Sequence, residues 1–278
     1  MMASAITFTL DLEDNRPDRS GEKRYPGVIS KLLDYLDETA IRGTFFVVGN
    51  LARADPVLIR RIADAGHELA CHSLDHTALP NQTPDAFRSH TTTAKKIIED
   101  AASQKVHGYR APVFSLTRES IWATDILREL DFTYSSSVVP ARNPLYGFPN
   151  APRTPFRWKS GLLEIPAPVI KFGPLSLPFL GGIYFRYLPS PLVHKAAKRN
   201  AGRACLWLYC HHYDFDADEP YCRIEGTSTA TSVLLWMNRR GTGRKLERLF
   251  ASPDFKAAEP LKARVANGEF AAARVFAA

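Results

Sequence analysis

The sequence predicts an α/β fold, a distorted (β/α)7-type barrel of TIM-barrel-like plan kept as one unit. Three observations point there. Short apolar runs alternate with segments whose apolar residues recur at three- and four-residue spacing, the pattern of parallel strands joined by helices. The length of 278 residues suits such a barrel without a second domain. Titratable residues stand at the ends of the apolar runs, where barrel active sites gather.

The elements follow in order. Ile6–Leu10 is the first strand, and Pro26 to Leu36 is a helix whose Val28, Ile29, Leu32, Leu33 and Leu36 make one apolar face. Gly43–Gly49 is a buried strand, and Pro56–Ala65 is a helix stopped by Gly66. Glu68–Cys71 is the third strand, Pro84–Ala102 a long helix, and Val106–Arg110 a short strand. Thr117, with Glu119 close behind, caps a helix running to Leu130. Residues 138–191 are rich in Pro and Gly but interleaved with aromatic and aliphatic side chains, which predicts packed loops and short strands. Leu192–Arg199 is helical, Cys205–Cys210 is a strongly apolar strand ending at His211-His212, and Ser228 to Asn238 forms a last helix. The expected layout is a single domain over 1–278. Its barrel core spans about 5–135 and 200–240, with a loop-rich insertion at 138–191. A C-terminal extension and tail occupy 240–278, the Ala-rich end lying at the periphery.

Hydrophobic residues make up 45% of the chain, enough for a large core, and no run reaches the roughly 18–20 apolar residues of a membrane span. Cys71, Cys205, Cys210 and Cys222 show neither a metal-binding nor a disulfide spacing. Met1-Met2-Ala3-Ser4-Ala5 does not open a secretory signal, so a cytoplasmic location with reduced thiols is expected. The formal charge of +7 favours an acidic partner or contact with the negative inner membrane surface. Part of that charge lies in Arg239-Arg240-Gly241-Thr242-Gly243-Arg244-Lys245, whose simplest reading is a solvated helix end and turn. No nucleic-acid-binding signature accompanies it. The oligomeric state is not legible.

The chemistry begins with His72-Ser73-Leu74-Asp75-His76, just after the third strand. Imidazoles four apart converge on one metal ion if the segment turns helically. A lone H-x-x-x-H pair is ordinarily solvated surface, but here Asp11-Leu12-Glu13-Asp14 ends the first strand and offers carboxylates. Two histidines and a carboxylate leave coordination positions open, which is the pattern of a catalytic site. Strand alternation puts Asp11 and Glu13 on one side, favouring Glu13 as the third ligand, whereas a bulge would present Asp14 instead. Arg110 follows the fourth strand and His211 the late one.

These motifs together resemble the NodB-like polysaccharide deacetylases, carbohydrate esterases that remove N-acetyl groups from sugars. An aspartate motif on the first strand, H-S-x-x-H at His72–His76, Arg110-Ala111-Pro112, and Leu208 to His211 appear in the family's order. Gly108–Ser115, Tyr146–Pro149, Leu180–Arg186 and His211–Asp216 resemble a narrower subfamily with a C-terminal extension, associated with exopolysaccharide or cell-envelope biosynthesis. The resemblance implies a divalent metal, usually zinc, on His72, His76 and either Glu13 or Asp14. It implies Asp11 as the base, Arg110 pairing with Asp11, and His211 as the general acid. The substrate it implies is an N-acetylated polysaccharide, oligosaccharide or lipid-linked glycan intermediate. Two departures stand out: the family usually has adjacent aspartates on the first strand, and often an acidic or aromatic residue where this chain has Tyr134-Ser135-Ser136-Ser137. Alternatives are hydrolysis of a small amide or imide, and a catalytically silent glycan-binding or assembly protein.

Overall fold

The computed structural model describes residues 3–14, 23–142, 146–172, 175–202, 204–224 and 228–278. The strands are β1 (Ser4–Leu12), β2 (Thr44–Val47), β3 (Glu68–Cys71), β4 (Gly108–Tyr109), β5 (Tyr134–Ser135), β6 (Phe156–Arg157), β7 (Leu163–Glu164), β8 (Val169–Phe172), β9 (Leu175–Pro178), β10 (Leu206–His211) and β11 (Phe255–Ala258). The helices are α1 (Tyr25–Glu38), α2 (Gly49–Ala54), α3 (Pro56–Asp64), α4 (Pro84–Ala102), α5 (Ala123–Glu129), α6 (Gly182–Tyr187), α7 (Ser190–Asn200), α8 (Thr229–Trp236), α9 (Thr242–Phe250) and α10 (Leu261–Ala266). One curled sheet runs β10-β1-β2-β3-β4-β5-β7-β6, with β11 beside the start of β1. Its pairings are parallel except β6 with β7, while β8 and β9 form a separate antiparallel pair. The mixed α/β fold with a curled, half-barrel sheet is the architecture the alternating pattern predicts.

Alternation on β1 explains how the barrel sorts its residues. Ile6, Phe8, Leu10 and Leu12 are buried in the large cluster shared with helices such as α1, which contributes Tyr25, Ile29, Leu32, Leu33 and Leu36. Thr7, Thr9 and Asp11 take the other face. In register they pair with Trp207, Tyr209 and His211 of β10, and Asp11 also pairs with Phe46 of β2. Phe46, Trp207 and Tyr209 belong to the second, interior cluster. Across the seam between the sheet's ends, the Trp207 indole N–H donates to the Pro166 carbonyl at 3.1 Å.

The C-terminal segment departs from the sequence expectation. The chain continues past the helix at 229–236 into α9, β11 and α10, and Leu261, Arg264 and Phe270 are buried anchors while most of residues 266–278 stay exposed at the periphery. Leu261 is fully buried, and its backbone N–H donates to Thr44 Oγ1 at 2.9 Å. Lys262 N–H donates to Glu68 Oε2 at 2.9 Å, and Arg264 reaches Thr7 Oγ1 at 2.9 Å. Phe276 packs on the rings of Phe148, Phe156 and Trp158. This segment therefore covers the N-terminal end of the strands, opposite the candidate site. An Ala-rich composition hid it because a few buried anchors, not a continuous apolar face, hold it down. A second difference lies at Thr117–Leu130: Thr117 does cap, but a short 3-10 turn over Arg118–Ser120 precedes α5, so the expected helix is broken in two.

Candidate active site

The two histidines converge without a helix. Ser73 and His76 both take left-handed backbone angles, φ 67° and 65°, and the Ser73 hydroxyl accepts the His76 N–H at 2.8 Å. This tight turn, in place of the expected helical one, folds His76 back over His72. Both rings face Glu13, the residue two beyond Asp11 on the inward side of β1. Nε2 of His72 lies 3.5 Å from Glu13 Oε2, and Nε2 of His76 is ion-paired with the same oxygen. Asp14, the competing candidate, lines the cavity but lies outside this three-residue cluster.

The cluster has the character of a metal site. One ligand atom from each of Glu13, His72 and His76 lies within 4.8 Å of the others. His72 Nδ1 is 2.8 Å from the Arg110 carbonyl, which fixes the ring and turns Nε2 toward Glu13, the arrangement by which metal-ligating histidines are oriented. Burial pushes the Glu13 carboxyl up, but the charge of His76 and hydrogen bonds from both histidines outweigh it and hold the group well below the usual carboxylate range. Two imidazoles and one anionic oxygen at the wall of an open cavity suit a divalent ion with further coordination positions free, so the residues fit the metal that the sequence resemblance implies.

Asp11 sits beside this cluster, bound to the Arg110 guanidinium at 2.6 Å (Nη1 to Oδ1). Arg110 has no exposed surface; its plane lies 3.8 Å from the Phe46 ring centre and 4.4 Å from that of Trp207. It also donates to Thr9 Oγ1 and to the carbonyl and hydroxyl of Ser136. Ser136 donates its hydroxyl to the Ile165 carbonyl at 3.0 Å, and the chain just after it is held by the buried Glu164, whose Oε1 accepts the N–H groups of Ser137 at 2.7 Å and Val138 at 3.0 Å. The serine run therefore builds the cradle of Arg110, and the buried acid beside it, Glu164, comes from a later strand.

His211 lies across the cavity. Its Nε2 is 3.7 Å from Glu13 Oε1, and its Nδ1 is 3.1 Å from Asp214 Oδ2. Tyr213 stacks on the imidazole, ring centres 4.6 Å apart and 8° from parallel, and donates its hydroxyl to Glu13 at 3.4 Å. Burial alone would lower the His211 pKa; the Asp214 hydrogen bond and the charges of Glu13, Asp214 and Asp11 outweigh it and push the value up to about 9. Arg186 Nε stands 3.0 Å from Asp214 Oδ1, both side chains buried. His212 faces the other way, buried against Tyr25, and is pushed down to about 4 chiefly by burial. Asp214 and Arg186 were not singled out from the sequence. Both lie in stretches that carry the subfamily resemblance, Leu180–Arg186 and His211–Asp216, and Asp214 had a further signal, an acid three residues after His211 where the chain turns.

These groups line one cavity of about 920 Å³. Asp14, Lys23, Asn50 and Asp75 give one part of it a polar wall, while Val139, Ile183, Tyr184, Ile224 and Leu235 make another part apolar. Trp158 and Trp207 are core residues; Phe114, Tyr146, Tyr184 and Tyr209 are the rings that line the cavity alongside Tyr25 and Tyr213.

Residues 6–135 match the family model "Polysaccharide deacetylase", and residues 136–262 match a domain of unknown function, DUF3473. Residues 6–135, just under half of the chain, are thus similar to the polysaccharide deacetylases. The chain is 34% identical over 97 residues to a chitooligosaccharide deacetylase of Bradyrhizobium, covering 34% of this chain and 42% of that one. It is 30% identical over 86 residues to a peptidoglycan-N-acetylmuramic acid deacetylase of Bacillus subtilis, covering 31% and 33%. The matches thus span less than half the length of these relatives. Among solved structures, a protein from Mycobacterium smegmatis assigned to the polysaccharide deacetylases superposes with a TM-score of 0.65 at 23% identity, covering 99% of this chain and 93% of that one. A CE4 family pseudoenzyme from Bacillus anthracis superposes with a TM-score of 0.52 at 13% identity, covering 94% and 65%. These structural likenesses speak to the fold.

Proposed function

We propose that the protein is a metal-dependent hydrolase that removes N-acetyl groups from an amino-sugar glycan. The observation that carries the reading is the placement, in one cavity, of the Asp11–Arg110 pair, the Glu13, His72 and His76 cluster, and His211. Glu13, His72 and His76 would hold a divalent ion, zinc being the expected one, which when bound supplies Lewis acidity to the carbonyl and to water. Asp11, oriented by a guanidinium that cannot lose its proton, is placed to accept a proton from the attacking water. His211, protonated at neutral pH with Asp214 behind it, is placed to donate a proton to the nitrogen as the C–N bond breaks. The products are acetate and a free amine. The named relatives, which act on chitooligosaccharide and peptidoglycan, support a polysaccharide, oligosaccharide or lipid-linked intermediate bearing N-acetyl groups as substrate. The completeness of the base, ligand and acid set disfavours a silent binding protein.

The test is acetate release from N-acetylhexosamine oligomers by purified protein of measured metal content, before and after chelation. Metal-dependent release is expected, restored by zinc or cobalt. Metal-loaded protein that cleaves a small amide but no N-acetyl sugar would replace this reading with the small-amide one.

A further inference from the structure

Helix α8 ends in the apolar run Val233-Leu234-Leu235-Trp236, followed by Met237, and its polar residues are confined to its first turn. A helix of this kind belongs in a core or against lipid. Yet Leu234 is 46% exposed and Met237 48%, and beside them stand Tyr187 at 40% and Tyr221 at 42%. All four stand at α8 or against it: the Tyr187 hydroxyl donates to the Leu234 carbonyl at 3.0 Å, and the Tyr221 ring packs on Trp236 at 5.7 Å. They are half of the eight large exposed apolar side chains among the described residues, so the exposure is concentrated, not scattered.

Exposed arginines flank the patch, with exposed Asp218 before it and Glu247 after it in the chain. Of the basic run after α8, Arg239 is buried against Glu219 and Lys245 is tied to the carbonyls of Phe185, Arg186 and Leu188. Arg240 and Arg244 stay exposed, as does Arg223. Glu225, outside the described residues, is the one acidic residue in 221–246. A second copy docking through this face would set arginines against arginines, since a two-fold contact meets itself. Tyr, Trp, Leu and Met bordered by arginine is the composition of a lipid–water interface.

We propose that α8 and its flanking arginines dock onto an anionic lipid surface. Leu235 and Ile224 of the same segment line the candidate cavity, so docking brings a wall of that cavity to the surface. The test is co-sedimentation of the full chain with phosphatidylcholine vesicles containing or lacking phosphatidylglycerol. Binding is expected only with phosphatidylglycerol and should fall as salt is raised. Leu234→Glu with Met237→Glu, and separately Arg240→Glu with Arg244→Glu, should each weaken binding by about tenfold or more. Val57→Glu, an exposed apolar control on α3, should not. The proposal is overturned by absent or composition-independent binding, by unchanged binding in both double variants, or by a dimer that Leu234→Glu dissolves. None of these side chains belongs to the catalytic set, so acetate release from a soluble oligomer should persist in the variants, which separates this test from that of the hydrolase reading.

Discussion

The two matched regions contribute to the site in different ways. Residues 6–135 supply Asp11, Glu13, His72, His76 and Arg110, each at or just beyond the end of a regular parallel strand. Residues 136–262 supply His211 from the end of the six-residue parallel strand β10, Asp214 from the turn after it and Arg186 from a six-residue helix, together with much of the apolar cavity wall. The first region thus assembles the candidate metal cluster and its proposed base from strand register together with the turn at Ser73–His76. The second brings a proton donor to that cluster, and the contacts of Tyr213 and His211 with Glu13 join the two. Metal binding and proton donation are therefore separable by mutation, and each prediction below tests that separation.

The largest effect is expected from His72→Ala combined with His76→Ala, which removes two of three ligands from the first region. Activity should fall below detection and metal content well below stoichiometric, while circular dichroism stays near that of the wild type. A double variant that purifies with stoichiometric zinc would place the metal elsewhere. Next come the carboxylates. Asp11→Asn should keep its metal and lose about 10²–10⁴-fold in turnover, the range for an acid–base group. Glu13→Gln should lose metal, and Asp14→Asn should lose far less, because Asp14 lies outside the cluster. Metal loss in Asp14→Asn with retention in Glu13→Gln would reverse the assignment.

What the sequence disclosed follows the same division. Asp11 and Glu13 share a face because strand side chains alternate, a rule that needs no tertiary knowledge. The spacing of His72 and His76 was visible too, but not its cause: two left-handed residues bring the rings together, and Ser73 and His76 give no obvious local sign of that conformation. In the second region the signals thin out. Strands of two residues carry no period to read, and Glu164 acts through the backbone of Ser137 and Val138, 26 to 27 positions away. Arg186 reaches Asp214 only because α6 packs beside β10, a contact set by the whole fold. The elements β11 and α10 went unread because buried anchors such as Leu261 stand isolated in an Ala-rich stretch.

A smaller and more selective loss is expected in the second region. His211→Ala should retain metal, since the ligand cluster lies wholly in the first. On an N-acetyl sugar it should cost about 10²–10⁴-fold, because an amine nitrogen leaves only once protonated. On an activated aryl acetate the loss should be clearly less, since that oxygen leaves readily as an anion. His212→Ala should matter little for either, its ring being turned toward Tyr25. Equal losses of His211→Ala on amide and ester would mean that His211 positions substrate instead of donating a proton.

The smallest effect, and the one that probes the join between regions, is Asp214→Asn. Asparagine keeps the size of the side chain and can still accept from the His211 ring, but it removes the charge. His211 stands at about 9 because the Asp214 bond, with the charges of Glu13, Asp214 and Asp11, outweighs a burial that by itself would lower the value. Removing one of those charges leaves burial less opposed, so the pKa falls. A general acid works only while protonated, so activity is lost as pH rises through its pKa. The alkaline limb of the pH–activity profile should therefore move to lower pH in the variant, with activity at acidic pH reduced least. Arg186→Met leaves Asp214 charged but without its guanidinium partner, so His211 keeps its counter-charge and the limb should stay close to that of the wild type. An alkaline limb that does not move in Asp214→Asn would show that it belongs to another group, and would leave the pairing of His211 with Asp214 a matter of orientation alone.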